Sequence, residues 1–178
     1  FTVAVTGRSA HAGRNPLDGR NAVVAAADLA VRLDALKHDI EGLSVNVARL
    51  SGGGANNVVP DRALLSWNMR PVDLAGQQAA EQAITRIIAQ VSADHGVTIA
   101  LAGSFARPPK PFNTKHQALF GLVRETGADL GLAIDWQPSG GVCDGNNIAA
   151  QNVAVVDTMG VRGGAIHTDE EFMILSSL

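Results

Sequence analysis

Two kinds of hydrophobic spacing alternate along the first hundred residues. Apolar residues at every second position predict four strands, over 2–7, 43–50, 58–70 and 97–101. Apolar residues at intervals of three and four predict two amphipathic helices, over 20–37 and 75–94. The predicted order is therefore strand, helix, strand, strand, helix, strand.

This order is the split βαβ, or ferredoxin-like (βαββαβ), arrangement, an α+β fold in which two helices cover one face of a four-stranded antiparallel sheet. In the third strand, the side chains that share one face are Ala63, Leu65, Trp67 and Met69. Arg70 ends the strand on the opposite face. The run SGGGANN at 51–57 predicts a loop or hairpin connection, and Gly96 is expected to end the second helix.

The composition changes at ARPPKPFN (106–113), whose three prolines exclude helix and central strand. Beyond this crossing the pattern predicts a helix over 114–130, a strand near 132–136, a helix near 144–151 and a strand over 153–157. An αβαβ order is typical of a sheet covered by helices, yet about 70 residues are too few to complete one. We therefore expect one domain over 1–107 and an incomplete α/β segment over 108–178.

Composition and charge exclude several classes of protein. The 178 residues carry a net charge of −3 without a block of like charges, so the basic footprint of a nucleic-acid-binding protein is missing. No apolar run has the roughly 18 residues that predict a membrane span. Phe1–Thr6 has a strand pattern and not that of a signal peptide, so we expect the chain to be a piece of a longer protein.

Cys143 is the sole cysteine, which excludes an internal disulfide and a zinc site built from several cysteines. The two interpretations of this residue are a catalytic thiol and a small buried residue in a glycine-rich turn. We favour the second, because a free cysteine behaves as a small hydrophobic residue.

Three polar residues in the first domain are candidates for contact with a substrate. His11 follows the first strand in a loop of small residues, where an uncovered imidazole could donate a hydrogen bond or shuttle a proton. Asn57, next to Asn56, offers an amide donor and acceptor, and Arg70 offers a guanidinium suited to a carboxylate. The alternatives are an exposed loop histidine, an asparagine that favours a turn, and an ordinary surface arginine.

The candidates in the second segment are two glycines and a histidine. The run SGG at 139–141 lets a substrate approach the backbone closely, or is simply a tight turn. His167 is a plausible metal ligand, but one histidine cannot hold a zinc ion, because zinc is coordinated by about four donors. We expect Asp144 to cap the helix that follows it, and 169–171 to form the solvated first turn of a helix. The remaining histidines, at helix ends or on polar faces, are interpreted as structural or incidental: His38, His95 and His116.

Four motifs in this order resemble the M20 family of zinc metallopeptidases and amidohydrolases, with the carboxypeptidase G2-like branch the most similar. They are GRSAHAGRNPLDGRNA, the NNVVP ahead of a strand that ends in MRP, SGGVCDGN, and GGAIHTDEEF. The resemblance covers the whole chain. It implies that 1–107 is a ferredoxin-like lid, through which two subunits dimerise, and that 108–178 is the C-terminal portion of a zinc-binding α/β catalytic domain.

The resemblance also implies roles for individual residues. His11 matches a lid histidine that reaches the partner subunit's active site and stabilises the developing oxyanion. Asn57 and Arg70 match substrate-holding positions, with Arg70 on the substrate carboxylate, and Gly140 and Gly141 match the backbone that lines the substrate pocket. His167 matches the last zinc ligand. The family's other ligands and its general base lie upstream of the lid, so the two-zinc site is incomplete in this chain.

The sequence thus predicts part of a zinc-dependent hydrolase that cleaves the amide bond of N-acyl amino acids or small peptides, and that is inactive as this piece alone. We expect a homodimer, a substrate with a free carboxylate, and neither nucleic acid nor membrane as a partner. The alternative is a non-catalytic dimerisation module of ferredoxin-like fold. The acyl group remains open, and so does the compartment, cytoplasm or periplasm.

Overall fold

A computed structural model describes residues 1–110, 112–137 and 139–178, which form two compact units. The first unit contains Phe1–Lys110 together with Ser139–Val142, and the second contains the rest of the chain. Pro111, part of the predicted crossing between domains, lies outside the described residues. No helix in the described ranges has the length and apolar character needed to cross a membrane.

The first unit has the predicted order of strands and helices. Its elements are β1 (Thr2–Thr6), α1 (Ala22–Asp39), β2 (Ser44–Gly52), β3 (Arg62–Arg70), α2 (Leu74–His95) and β4 (Thr98–Ala102). The strands form one antiparallel sheet in the order β2-β3-β1-β4. In the central pair, Thr6 lies opposite Arg62 and Thr2 lies opposite Ser66. The prediction of a four-stranded antiparallel sheet with two helices is therefore confirmed.

The core lies between the two helices and one face of the sheet. The predicted face of β3 is buried at Ala63, Leu65, Trp67 and Met69, and the residues between them are exposed or half-buried. Leu29 and Leu33 of α1 and Ile84 and Val91 of α2 complete the same cluster. Arg70 is exposed on the other face, as its position in the alternation predicts.

Local hydrogen bonds set the ends of the helices. The Asn21 side chain accepts from the N–H groups of Val23 and Val24, so α1 begins two residues later than the spacing predicts. Gly96 ends α2 in the left-handed conformation, with φ of 62°, as predicted.

The third strand is shorter than predicted, because it begins at Arg62 and not at residue 58. Val58 and Val59 pair with the loop that follows β1 instead of continuing the β2–β3 ladder. Strand β2 extends to Gly52, inside the predicted loop, with a bulge between Val47 and Arg49.

The second unit contains helices α3 (Thr114–Asp129) and α4 (Asp144–Ala149) and a two-stranded ladder of β5 (Gly163–Gly164) and β6 (Phe172–Met173). The two helices agree with the sequence pattern. The predicted strands at 132–136 and 153–157 are wrong, since neither segment pairs with another strand in the described part of the chain. A strand forms only where a neighbour satisfies its backbone groups, and apolar spacing alone does not supply one.

Candidate functional site

The loop that carries His11 is closed at its base by a pair of backbone hydrogen bonds. The N–H of Arg8 donates to the Arg20 carbonyl at 3.0 Å, and the N–H of Arg20 donates to the Arg8 carbonyl at 2.8 Å. The Arg8 Nε–H also donates to the Asp18 carbonyl. The loop is thereby held between the end of β1 and the start of α1.

The His11 side chain is exposed in this loop, as predicted, and one of its ring nitrogens accepts hydrogen bonds from the backbone. Its Nδ1 accepts from the N–H of Gly13 at 3.1 Å and from the N–H of Arg14 at 3.2 Å. A nitrogen that accepts two hydrogen bonds carries no proton, so in the neutral ring the proton lies on Nε2. The backbone therefore presents His11 as an Nε2–H donor.

Asn57 lies beside His11 because the two loops pair through their backbones. The Ala12 N–H donates to the Asn57 carbonyl at 2.9 Å, and His11 forms an antiparallel bridge with Val58. An open cavity of about 350 Å³ adjoins this pair. Its lining comes mainly from Gly52–Asn56, Val58–Pro60, Ala12, Asn21 and Val23. The structure thus brings two of the predicted site residues together at the Arg62 end of β3.

Arg70, at the other end of β3, is held by two neighbours of its guanidinium. Its Nη1 donates to the carbonyl of Gly140 at 2.6 Å, and its Nε donates to Oδ1 of Asn68 at 3.1 Å. The N–H of Gly141 donates to the Ser139 hydroxyl at 3.0 Å, which closes the turn that presents the Gly140 carbonyl. Two more predicted site residues, Arg70 and Gly140, are therefore in direct contact, with Gly141 next to them.

Sequence reasoning missed Asn68, which is the side-chain partner of Arg70. The signal was present in the alternation of β3, because residues two apart in a strand share a face. An exposed asparagine in a strand gives no reason by itself to single it out.

His167, in the second unit, has a strained backbone. Its φ is 67°, and that of Ala165 is 55°, a left-handed region that side-chain-bearing residues rarely occupy. The N–H of His167 donates to Oε2 of Glu171 at 3.0 Å. The prediction that 169–171 open a helix is wrong, because Asp169 and Glu170 lie in a turn and the Glu171 carboxylate accepts from the His167 backbone.

The described part of the chain does not gather the donors needed for a metal site. Over the described residues, no group of three or more His, Cys, Asp and Glu side chains could hold a metal ion. Zinc in a catalytic site takes about three protein donors, so His167 alone does not meet that requirement. The residues present here therefore do not by themselves fit a zinc site.

The start of α4 differs from the prediction in two respects. Cys143, not Asp144, is the residue that caps this helix, since its Sγ accepts from the Gly145 N–H at 3.3 Å. Cys143 is also exposed, not buried, and its thiol donates to Oδ2 of Asp157 at 3.1 Å. Asp144 is the first residue of the helix, one place too late to serve as the cap.

His116 lies near the start of α3, which agrees with the predicted position at a helix end, and its side chain is buried. Its Nδ1 lies 3.0 Å from Oδ1 of Asn113, the residue that caps the same helix. This contact agrees with a structural role at the helix start.

Two of the curated relatives that match this chain are a hydrolase subunit and a carboxypeptidase. Over 71 residues, or 39% of its length, the chain is 45% identical to one of the subunits of the p-aminobenzoyl-glutamate hydrolase of Escherichia coli and covers 16% of that protein. It is 26% identical to carboxypeptidase G2 of a Pseudomonas species, over 99% of the chain and 43% of the relative. The chain thus spans less than half the length of these relatives.

Among solved structures, a tripeptidase of Staphylococcus aureus is similar in fold. It has a TM-score of 0.79 and 24% identity, over 96% of this chain and 44% of the tripeptidase. Residues 1–96, more than half of the chain, match the family model described as the peptidase dimerisation domain. The chain therefore belongs to the M20 peptidase family.

Proposed function

We propose that the whole protein of which this chain is a part hydrolyses the amide bond of an N-acyl amino acid or small peptide that carries a free carboxylate. In this proposal, 1–107 is a lid of ferredoxin-like fold and 108–178 is part of a catalytic domain. The sheet order β2-β3-β1-β4, with one helix after β1 and one after β3, supports the ferredoxin-like assignment.

The observation that carries the proposal is the hydrogen bonding of His11. Because Nδ1 is occupied by two backbone N–H groups, the ring offers Nε2–H as a donor without having to be charged. A donor of this kind can stabilise the negative charge that develops on the carbonyl oxygen when an amide is attacked by water. The backbone bonds also fix the ring orientation, so little rearrangement is needed during the reaction.

The opposite end of β3 is suited to holding the substrate. Two of the five guanidinium donors of Arg70 have partners in the described residues, and the others remain available for a carboxylate. The backbone at Gly140 and Gly141, without side chains, lets a substrate lie close beside it. One relative is named for the hydrolysis of a glutamate amide, so acylated glutamate is the first substrate to test.

A homodimer through the first unit is part of the proposal. Strand β2 is an edge of the sheet and pairs with β3 on one side only, so its other side can add a strand from a second copy. Helix α1, which packs on β2, exposes Val24 and Val31 by more than half. With Ala27 and Ala35 they form an uncharged stripe at helical spacing. The match of 1–96 to a dimerisation domain supports a second copy as the occupant of this surface.

The M20 family is generally metal-dependent, and we propose zinc, two ions per site, for the whole protein. The contribution of this chain is His167, whose strained backbone supports a functional position. The further donors would come from residues outside the 178 described by this sequence. When bound, the metal would polarise the scissile carbonyl and activate water.

The test is hydrolysis by the full-length protein on a panel of p-aminobenzoyl-glutamate, N-acetyl amino acids, N-succinyl amino acids and dipeptides. We expect activity on at least one member, loss of activity with a chelator, and recovery with zinc. Zinc content per protomer, measured by mass spectrometry, should fall in His167→Ala and not in His38→Ala, a change at an exposed histidine at the end of α1. Absence of hydrolysis and of bound zinc would favour the non-catalytic dimerisation module.

A further inference from the structure

We propose that Asn68 is a positioning residue for Arg70: its amide oxygen fixes the guanidinium so that the remaining N–H donors face the substrate carboxylate. The inference rests on the proposed function, in which Arg70 binds that carboxylate. Asn68 would thus belong to the site without contacting the substrate, because it acts by orienting the Arg70 side chain.

The contact follows from the register of β3. Asn68 and Arg70 are two residues apart on the exposed face of the strand, where their Cβ atoms are roughly 6.5 Å apart. The Arg70 Nε–H donates to Asn68 Oδ1 at 3.1 Å, within the normal range for a hydrogen bond. The second restraint, from Nη1 to the Gly140 carbonyl, acts at the far end of the guanidinium. Held at Nε and at Nη1, the planar group is restrained in both position and orientation.

Restraint of an arginine matters because its long side chain has several rotatable bonds. An unrestrained arginine loses rotamer entropy when a ligand fixes it. If Asn68 and Gly140 already fix the orientation of the Arg70 guanidinium in the free protein, substrate binding does not have to reduce the rotamer entropy of Arg70 further. Asn68 would therefore raise the affinity for a carboxylate without touching it.

The neutrality of Asn68 is also important. An aspartate here would restrain Arg70 equally well, but its charge would offset the positive charge that attracts the substrate. An amide oxygen and a backbone carbonyl, the two acceptors observed, hold the guanidinium and leave its charge for the ligand. An acidic side chain bonded to the Arg70 guanidinium would indicate a structural ion pair. In the described part of the chain, no carboxylate forms an ion pair with Arg70.

The test compares single and double variants of the full-length protein on the best substrate of the panel above. We expect Asn68→Ala to raise KM roughly tenfold, the size of effect typical for a hydrogen bond to a charged group, with little change in kcat. Asn46→Ala is the matched control. Asn46 is exposed on β2 directly opposite Asn68, and no hydrogen bond joins its side chain to Arg70 in the described part of the chain, so the KM of this variant should stay at the wild-type value.

The double variant separates a role through Arg70 from a general structural role. If Asn68 acts only by orienting Arg70, Asn68→Ala adds nothing to KM once Arg70→Ala is present. Asn68→Gln, which keeps an amide oxygen, should recover part of the affinity. An equal rise in KM in both backgrounds, or a wild-type KM in Asn68→Ala alone, would overturn the inference.

The failure of the proposed function would look different. In that case Arg70→Ala would itself leave KM unchanged, or no member of the panel would be hydrolysed. A rise in KM for Arg70→Ala together with a wild-type KM for Asn68→Ala would keep the carboxylate role of Arg70 and remove Asn68 from it.

Discussion

His11 and Arg70 are held at opposite ends of strand β3. Arg70 is the last residue of the strand, whereas the His11 loop pairs with Val58 and Val59, beyond Arg62 at its start. The eight steps from Arg62 to Arg70 span roughly 26 Å at the rise of a β-strand. A small substrate cannot touch both side chains of one protomer, so a site that uses both must combine two protomers.

This separation predicts that two inactive variants complement each other. In a heterodimer of His11→Ala and Arg70→Ala protomers, one composite site has both native residues and the other has neither. Random mixing should therefore restore about a quarter of wild-type activity per total protomer, given a twofold-symmetric dimer. The measurement is the initial rate after the two proteins are unfolded and refolded together.

Each variant refolded alone is the control for this mixture. Recovery only to the mean of the two separate rates would show that both residues act within one protomer.

The hydrogen bonds of His11 predict an effect on kcat. In the proposed mechanism, His11→Ala in the full-length protein removes a donor to the oxyanion, a loss that typically slows turnover by about a hundredfold to a thousandfold. KM should change little, because the interaction forms in the transition state. Steady-state kinetics with His38→Ala as control provides the measurement, and an unchanged kcat would remove His11 from catalysis.

The exposed stripe on α1 predicts a change in oligomeric state. Val31→Glu places a charge in the proposed contact with a second copy, and burial of an unpaired charge costs several kcal/mol, about 3–5 in protein interiors. We expect a monomer at micromolar concentration by analytical ultracentrifugation. Ala79→Glu, at an exposed position of α2, should leave the dimer intact. A dimer of unchanged stability in Val31→Glu would show that this face of α1 is not the interface.

The first unit could be predicted closely because its patterns are local. Alternation in β3 identified the buried face at Leu65 and Trp67, and Gly96 marked the end of α2. The errors arise where tertiary pairing decides. Val58 and Val59 look like part of β3 but pair with the His11 loop, and 153–157 has a strand pattern without a neighbouring strand in the described part of the chain.

The candidate site was less accessible from sequence, because its contacts join distant segments. Nothing in the spacing indicates that Arg70 contacts the Gly140 carbonyl, 70 residues away, or that Nδ1 of His11 accepts from the backbone of Gly13 and Arg14. Motif order indicated the candidate residues, but their hydrogen-bond partners follow only from the fold. The tautomer of His11 and the two hydrogen bonds of Arg70 therefore come from the structure and not from the sequence.

An ion-pair cluster joins α1 to α2 through Asp28. Its carboxylate accepts from Nε and Nη2 of Arg32 at 2.9 and 2.8 Å, and lies 2.9 Å from Nε2 of His95. Arg32 also reaches Asp94 at 2.8 Å. The Arg32 guanidinium first, and then the His95 ring, hold the pKa of Asp28 below its ordinary value of 3.8.

Because the pKa of Asp28 is lowered in the folded state, the ion pairs of its carboxylate stabilise the fold less as the pH becomes acidic. The contribution is complete above the unfolded pKa of about 3.9 and is lost as the pH falls through the lower folded pKa. Asp28→Asn should therefore reduce the free energy of unfolding at pH 7, and reduce it progressively less below pH of about 4. Urea unfolding of the 178-residue chain, followed by the fluorescence of its two tryptophans, of which Trp67 is buried in the first unit, measures the difference. Asp34→Asn is the control, because Asp34 pairs with Lys37 within α1 and does not link the helices. If Asp28→Asn reduced the free energy of unfolding equally at pH 7 and in acid, Asp28 would stabilise the unit by packing and not through its charge.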